Sequence, residues 1–181
     1  SPVLFRTEPT VSGHRIGIAT LNRPRQLNAL DLEMCELMLA QFTRWAADSS
    51  IVCVMLNGAG DKGFCAGGDV AGVVRHLRGL AGTEGDARYF YGDTFFRVEY
   101  ELDLLIHRYP KPFVAVSHGV CMGGGLGLIV GASHRAFVQG SKIAMPEIHI
   151  GLFPDVGGGY FLNRMPAGVG ALLALTGHVI T

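Results

Sequence analysis

Two knots of glycine limit the folds open to this sequence more than any other feature. The first, Phe64-Cys-Ala-Gly-Gly-Asp69, comes shortly after an apolar run of strand length, Ile51–Leu56. The second, His118-Gly-Val-Cys-Met-Gly-Gly-Gly125, comes directly after another, Phe113–Ser117, and leads into an apolar helix expected over Leu126–Ala132. Glycine at such places lets backbone N–H groups come close to a ligand or to another backbone, because no side chain intervenes. A knot at a helix N-terminus also sits in a dipole field that favours negative charge. Two converging N–H groups would suit a developing enolate or tetrahedral oxyanion; tight packing of a helix on a sheet explains the same glycines.

The remaining pattern sets these knots in an α/β layer fold. Ile16–Leu21 reads as a strand running into the turn Asn22-Arg-Pro-Arg25. Asn28 is expected to cap the next helix, with Asp31 near its positive end. Leu32, Cys35, Met38 or Leu39, Phe42 and Trp45 then recur at helical spacing until Asp48-Ser-Ser50, so one stripe faces a core. Ile51–Leu56 and Phe113–Ser117 are continuous enough for strands buried on both faces. Arg75–Asp93 reads as a polar excursion, followed by a helix through Phe95–His107. Alternation of strands with helices argues the α/β class.

Composition removes several classes of function. The 15 Lys and Arg balance 15 Asp and Glu, so no global basic charge recruits nucleic acid, and no nucleic-acid partner is expected. An apolar share of 49% supports one sizeable core and excludes intrinsic disorder. Apolar stretches are broken within about 12 residues, short of a bilayer span, so no membrane partner is expected. Cys35, Cys53, Cys65 and Cys121 stand far apart, with no C-x-x-C and no paired His ligands. Free thiols in a reducing compartment are expected, with no metal site.

Weaker motifs have ordinary readings. Gly58, Gly60 and Gly63 match G-x-G-x-x-G behind a strand, but Phe64-Cys-Ala-Gly-Gly-Asp69 is no helix start, so a strand-end turn is the better reading. Cys65 has no nearby His to activate it and reads as a small buried residue. His149 reads as structural or as a pocket wall. Arg75, Arg78 and Arg88 read as a solvated basic face rather than phosphate contacts.

Taken together, Asn22-Arg-Pro with Leu27-Asn-Ala-Leu30, Phe64-Cys-Ala-Gly-Gly-Asp69 and Met122-Gly-Gly-Gly125 resemble the crotonase (enoyl-CoA hydratase/isomerase) superfamily. The resemblance runs from Gly17 to Gly177, in matching order and spacing. It implies an α/β fold built as a crotonase-like spiral of ββα repeats, binding acyl-CoA thioesters. By resemblance, the N–H groups of Ala66 and Gly124 would hold the thioester oxygen. Arg25, Leu27, Gly67, Gly68 and Asp69 would line the CoA path. CoA would be part of the substrate, and no separate cofactor is expected.

Hydratases of this superfamily work with two glutamates. The second is kept as Glu147 in Met145-Pro-Glu147, while the position matching the first is Gly127. Without one of the two carboxylates, water addition to a double bond loses half its acid/base apparatus. In exchange, Met145–Leu162, with Asp155 inside it, closely resembles the 3-hydroxyisobutyryl-CoA hydrolase branch; Ile148-His149 departs from that branch's smaller residues. Glu99 matches an acidic substrate-contacting position of the same branch. Glu147 and Asp155, with a Gly and a Pro between them, are the expected catalytic pair. Glu147 would attack the thioester or activate water, and Asp155 would orient the substrate hydroxyl or relay a proton. Apolar neighbours Ile148, Ile150, Leu152 and Phe153 favour burial of this pair, and Ile148 with Phe153 would crowd long acyl chains.

The expected activity is hydrolysis of 3-hydroxyisobutyryl-CoA in valine breakdown. The alternatives are a hydratase or isomerase using Glu147 alone, and a non-catalytic acyl-CoA binder. Residues 1–181 are expected to form one acyl-CoA domain that stops before the superfamily's C-terminal helical region. A homo-oligomer, trimer or hexamer, is a further expectation. So is a bacterial cytoplasm, with the mitochondrial matrix as alternative.

Overall fold

The computed structural model describes residues 1–79 and 89–181. Strand β1 (Val3–Pro9) pairs antiparallel with β2 (Arg15–Leu21), Val3 opposite Leu21. The helix α1 (Leu32–Ala47) follows, and the later strand ladders are all parallel. Strands β3 (Ile51–Gly58), β5 (Phe113–Ser117) and β7 (His134–Phe137) extend a five-stranded sheet of order β1-β2-β3-β5-β7. Three short strands, β4 (Gly63–Cys65), β6 (Val120–Met122) and β8 (Lys142–Ala144), form a second sheet in that order.

One step is repeated three times. A strand joins the large sheet, the next joins the small sheet, and a helical segment follows. The first turn is β3, β4 and α2 (Val70–Gly79). After α3 (Phe90–His107) comes β5, β6 and α4 (Gly124–Val130), then β7, β8 and a 3₁₀ turn at Glu147–Ile150. This is the expected spiral of ββα units. Two short helices, α5 (Gly158–Phe161) and α6 (Val169–Thr176), close the described chain.

The core forms where the helical stripes meet the large sheet. Met34, Cys35, Met38, Phe42 and Trp45 of α1 are buried, as the spacing predicts. Phe42 packs edge-on against Phe113 of β5, with centroids 5.2 Å apart, and Tyr109 donates to the Phe42 carbonyl at 2.8 Å. On α3 the buried stripe is Phe95, Val98, Glu99, Leu102, Asp103 and Ile106. Two acids therefore sit on a face that helical spacing reserves for apolar residues.

Several local expectations are corrected. Asp31, not Asn28, caps α1: its carboxylate accepts the Met34 N–H at 2.9 Å. Asn28 instead has φ +55° and is fully buried. Its Oδ1 accepts the Arg23 N–H, while Nδ2 donates to the carbonyls of Ala59 and Gly63. Strand β1 precedes the first expected strand, and its Arg6 and Glu8 are exposed. Those charges project from an edge strand. At the start of β3, Val52 is exposed, so that strand is not buried on both faces. Helix α4 begins two residues before the expected Leu126, and α3 begins at Phe90 rather than Phe95. Part of the expected excursion, with Arg88, lies outside the described residues.

The three Asn28 bonds join the turn before α1 to both ends of the β3–β4 connection. In Asn28→Ala, one N–H and two carbonyls lose their partner, the Gly63 bond being fully buried and the other two partly. A loss of about 2–4 kcal/mol is expected, at 1–3 kcal/mol for each stranded buried group with partial relaxation. Urea unfolding of the variant should show a lower midpoint at unchanged slope.

Candidate functional site

The segments named at both ends of the expected CoA path are stitched together. Ala66 N–H donates to Leu27 O at 3.0 Å, Leu30 N–H to Gly67 O at 2.8 Å and Asp69 N–H to Leu30 O at 2.7 Å. Arg23 locks the same loop through ion pairs with Asp31 and Asp69, at 3.1 and 3.2 Å. Leu27 lies beside this seam with φ +52°, and Arg25 is exposed on the 3₁₀ turn before it.

This stitching corrects two expectations. The Ala66 N–H is spent on Leu27 O and is not free for a thioester oxygen. The amide left over is that of Gly68, which has no acceptor among the described residues. Asp69 is not a ligand group either. Its carboxylate accepts Gly72 N–H at 2.8 Å at the start of α2 and pairs with Arg23.

Gly124, by contrast, is placed as expected. It is the first residue of α4, so its N–H has no intrahelical acceptor, and none is found elsewhere among the described residues. The Gly68 nitrogen lies 3.3 Å from where a Cβ on Gly124 would stand, and the Gly124 nitrogen 3.5 Å from the corresponding point on Gly67. Two unspent amides thus meet between the glycine knots. Gly123 sets this geometry with φ +50°, a region that glycine enters freely.

Carboxylates are arranged over the same glycines. Glu147 Oε1 lies 2.7 Å from the Cβ point of Gly123, and a Cβ on Gly124 would run into Glu99 Oε1. Glu147 is delivered by the turn after β8, where Gly123 N–H binds Ala144 O at 3.1 Å. Gly151, at φ +75°, then bends the chain back toward Asp155. Tyr100 of α3 donates its hydroxyl to Asp155 Oδ2 at 2.7 Å. Val156, beside it, holds φ +42°, a strained value for a β-branched residue. The expected apolar screen differs from the one observed. Ile148, Ile150 and Phe153 are exposed, and Glu147 is covered instead by its own turn and the glycine knot.

Burial dominates the electrostatics. It pushes Glu147 up to about 7, aided by the charge of Asp155 and opposed by a backbone hydrogen bond. Glu99 goes up to about 8 through burial, then the charges of Asp155 and Glu147. Asp155 is also raised by burial, against the lowering bond from Tyr100. Asp103, which the sequence reading passed over, is raised by burial and by Glu99 and Asp155. Its signal was an acid at Glu99 plus four, on the buried stripe of α3. Cys65 is buried with its thiol pushed up, so it is no nucleophile. His149 is exposed and packs near Gly177, while Arg75 is exposed beside Asp69.

These raised values carry a stability cost with a definite sign. Below the ordinary carboxyl value of 4.5, Glu99 is protonated in both folded and unfolded chains. As pH rises, the unfolded chain ionises first, and stability falls until the folded pKa near 8 is passed. The loss from Glu99 over this window is on the order of 5 kcal/mol. Denaturant midpoints at pH 5.5 and 8.5 should therefore converge in Glu99→Gln relative to wild type.

A family model described as enoyl-CoA hydratase/isomerase matches residues 16–181, and the chain belongs to that family. Among curated relatives it is similar to the protein named 3-hydroxyisobutyryl-CoA hydrolase, mitochondrial, of Danio rerio. The identity is 46% over 163 residues, covering 90% of this chain and 41% of that protein. The protein of the same name in Homo sapiens is 45% identical over 161 residues, covering 89% and 40%. The chain thus spans about two fifths of the length of these relatives. Among solved structures, a carnitinyl-CoA dehydratase of Mycobacterium thermoresistibile matches with TM-score 0.89 and 38% identity, over 100% of this chain and 49% of that one. An enoyl-CoA hydratase of Rhodobacter sphaeroides 2.4.1 matches with TM-score 0.89 and 41% identity, over 99% and 50%. The spiral is the crotonase fold.

Proposed function

We propose that the chain carries the site of a hydrolase for short, branched 3-hydroxyacyl-CoA thioesters, turning 3-hydroxyisobutyryl-CoA into 3-hydroxyisobutyrate and CoA in valine breakdown. The observation that carries this reading is the meeting of the Gly68 and Gly124 amides beneath Glu147 and Glu99, with Gly127 where a hydratase places its other carboxylate. The relatives named above support the substrate, and their description as mitochondrial supports that compartment over a bacterial cytoplasm.

The two amides would hold the thioester oxygen as negative charge develops on it. Glu147, with a pKa near 7, is partly ionised at neutral pH and has a free oxygen, Oε2, with no partner among the described residues. It can attack the carbonyl carbon, expelling the thiolate and forming an anhydride that water then opens. It can equally take a proton from water as that water attacks. Asp155, oriented by Tyr100, would accept from the substrate hydroxyl or pass a proton. CoA enters as part of the substrate, and its path follows the seam of Arg25, Leu27, Gly67 and Gly68.

The solved relatives named as hydratase and dehydratase support a second reading, hydration or isomerisation through Glu147 alone. A side chain at 127 would meet Val156 Cβ at 2.6 Å, which argues against a second carboxylate on α4. Comparing kcat/KM for 3-hydroxyisobutyryl-CoA and isobutyryl-CoA, in wild type and Glu99→Ala, tests the substrate. A preference for the hydroxylated thioester that shrinks in the variant is expected. Equal rates on both substrates in wild type would remove the hydroxyl-recognition argument.

A further inference from the structure

The catalytic reading leaves one buried acid without a task. Asp103 stands one turn beyond Glu99 on α3, only 9% exposed, and neither of its carboxyl oxygens has a hydrogen-bond partner among the described residues. An unpaired buried polar group destabilises the fold, so a ligand that pairs it is the natural explanation.

Its surroundings show where that ligand would lie. Helices α3 and α4 meet with acids of one against glycines of the other. Glu99 faces Gly124, and Asp103 Oδ2 lies 3.0 Å from where a Cβ on Gly127 would stand. Val156 fills the other side of that point. Asp103 also lines a cavity of about 1120 Å³, together with Tyr100, Gly127, Phe153, Asp155 and Val156. Asp155, whose carboxylate Tyr100 orients, and Asp103, whose carboxyl oxygens are covered, therefore border one space.

We propose that Asp103 is a specificity-determining residue that binds the hydroxyl of a 3-hydroxyacyl thioester, supplying from α3 the carboxyl that α4 lacks at Gly127. This inference rests on the hydrolase reading. Burial, with Glu99 and Asp155 alongside, raises Asp103 well above the usual carboxylate range and so favours its protonated form, which has one O–H donor and one carbonyl acceptor. A hydroxyl is the ligand group that offers an acceptor and a donor from one atom. Its oxygen accepts from Asp103, and its hydrogen goes to Asp155. An alkyl group in the same place leaves Asp103 unpaired, as it is in the free site.

The test compares kcat/KM for 3-hydroxyisobutyryl-CoA over isobutyryl-CoA in the full-length protein, its Asp103→Leu variant and its Asp103→Asn variant. Leucine is apolar and of similar size, and it removes a buried unpaired acid, so folding is expected to survive; the melting temperature of each variant checks this. The ratio is expected to fall about tenfold or more in Asp103→Leu, which corresponds to losing one hydrogen bond. Asparagine keeps a donor and an acceptor, and should hold the ratio within about threefold of wild type. An unchanged ratio in Asp103→Leu, or an equal fall in both variants, overturns the assignment while leaving the hydrolase reading intact. A wild-type protein that releases thiol from neither thioester overturns that reading and this inference with it.

Discussion

Glu147→Gln is expected to lower hydrolytic turnover by about 10²–10⁴-fold while leaving affinity for a CoA ligand close to wild type. The carboxamide keeps the shape of the side chain over Gly123 but can neither attack a thioester nor accept a proton from water. In the wild type, kcat/KM should rise with pH as Glu147 ionises near 7. A falling limb near 8 is expected where Glu99 loses its proton. The two limbs belong to the coupled set of acids rather than to single residues. Steady-state kinetics across pH 5.5–9 check both limbs. Unchanged turnover in Glu147→Gln would mean that the reacting group lies elsewhere.

The second large effect is at Gly124. A methyl group there would run into Glu99 Oε1 and stand 3.3 Å from the Gly68 nitrogen, between the two unspent amides. Gly124→Ala should therefore cost about 10²–10³-fold in kcat, the scale of losing one oxyanion donor. The helix itself tolerates alanine better than glycine, so the melting temperature should change far less than the activity does. A fall in melting temperature with turnover retained would assign Gly124 to packing alone.

Local pattern carried the fold well where one element answers to one periodicity. The α1 stripe from Met34 to Trp45 and the strand at Phe113 could be read because burial follows the pattern there, and the strand at Ile51 could be read from its apolar run although Val52 is exposed. Reading failed where a distant partner decides. Asn28 and Asp31 are both good capping residues, and the carbonyls of Ala59 and Gly63 draw Asn28 away, leaving the cap to Asp31. Ala66 and Gly68 stand two positions apart in the same knot. Which amide stays free is decided by the Leu27 carbonyl, a contact between remote segments.

The acids divide in the same way. Glu147, Asp155 and Glu99 were legible through their resemblance to a known family, and the structure couples all three electrostatically. Asp103 escaped because an acid on an apolar stripe is ordinarily turned outward. Only the missing side chain at Gly127 makes room for it. Ile148 and Phe153 were expected to crowd long acyl chains; both are exposed on either side of Gly151, and Phe153 lines the cavity beside Asp155 while Ile148 does not.

The most direct test follows two signals in parallel from the full-length protein. Release of free thiol is measured with 3-hydroxyisobutyryl-CoA, and loss of enoyl absorbance with the matching enoyl-CoA. The expected result is thiol release from the hydroxyacyl thioester that depends on Glu147, with no loss of the enoyl signal. Rapid loss of the enoyl absorbance without thiol release would contradict it, showing that the Gly68 and Gly124 amides serve hydration rather than hydrolysis.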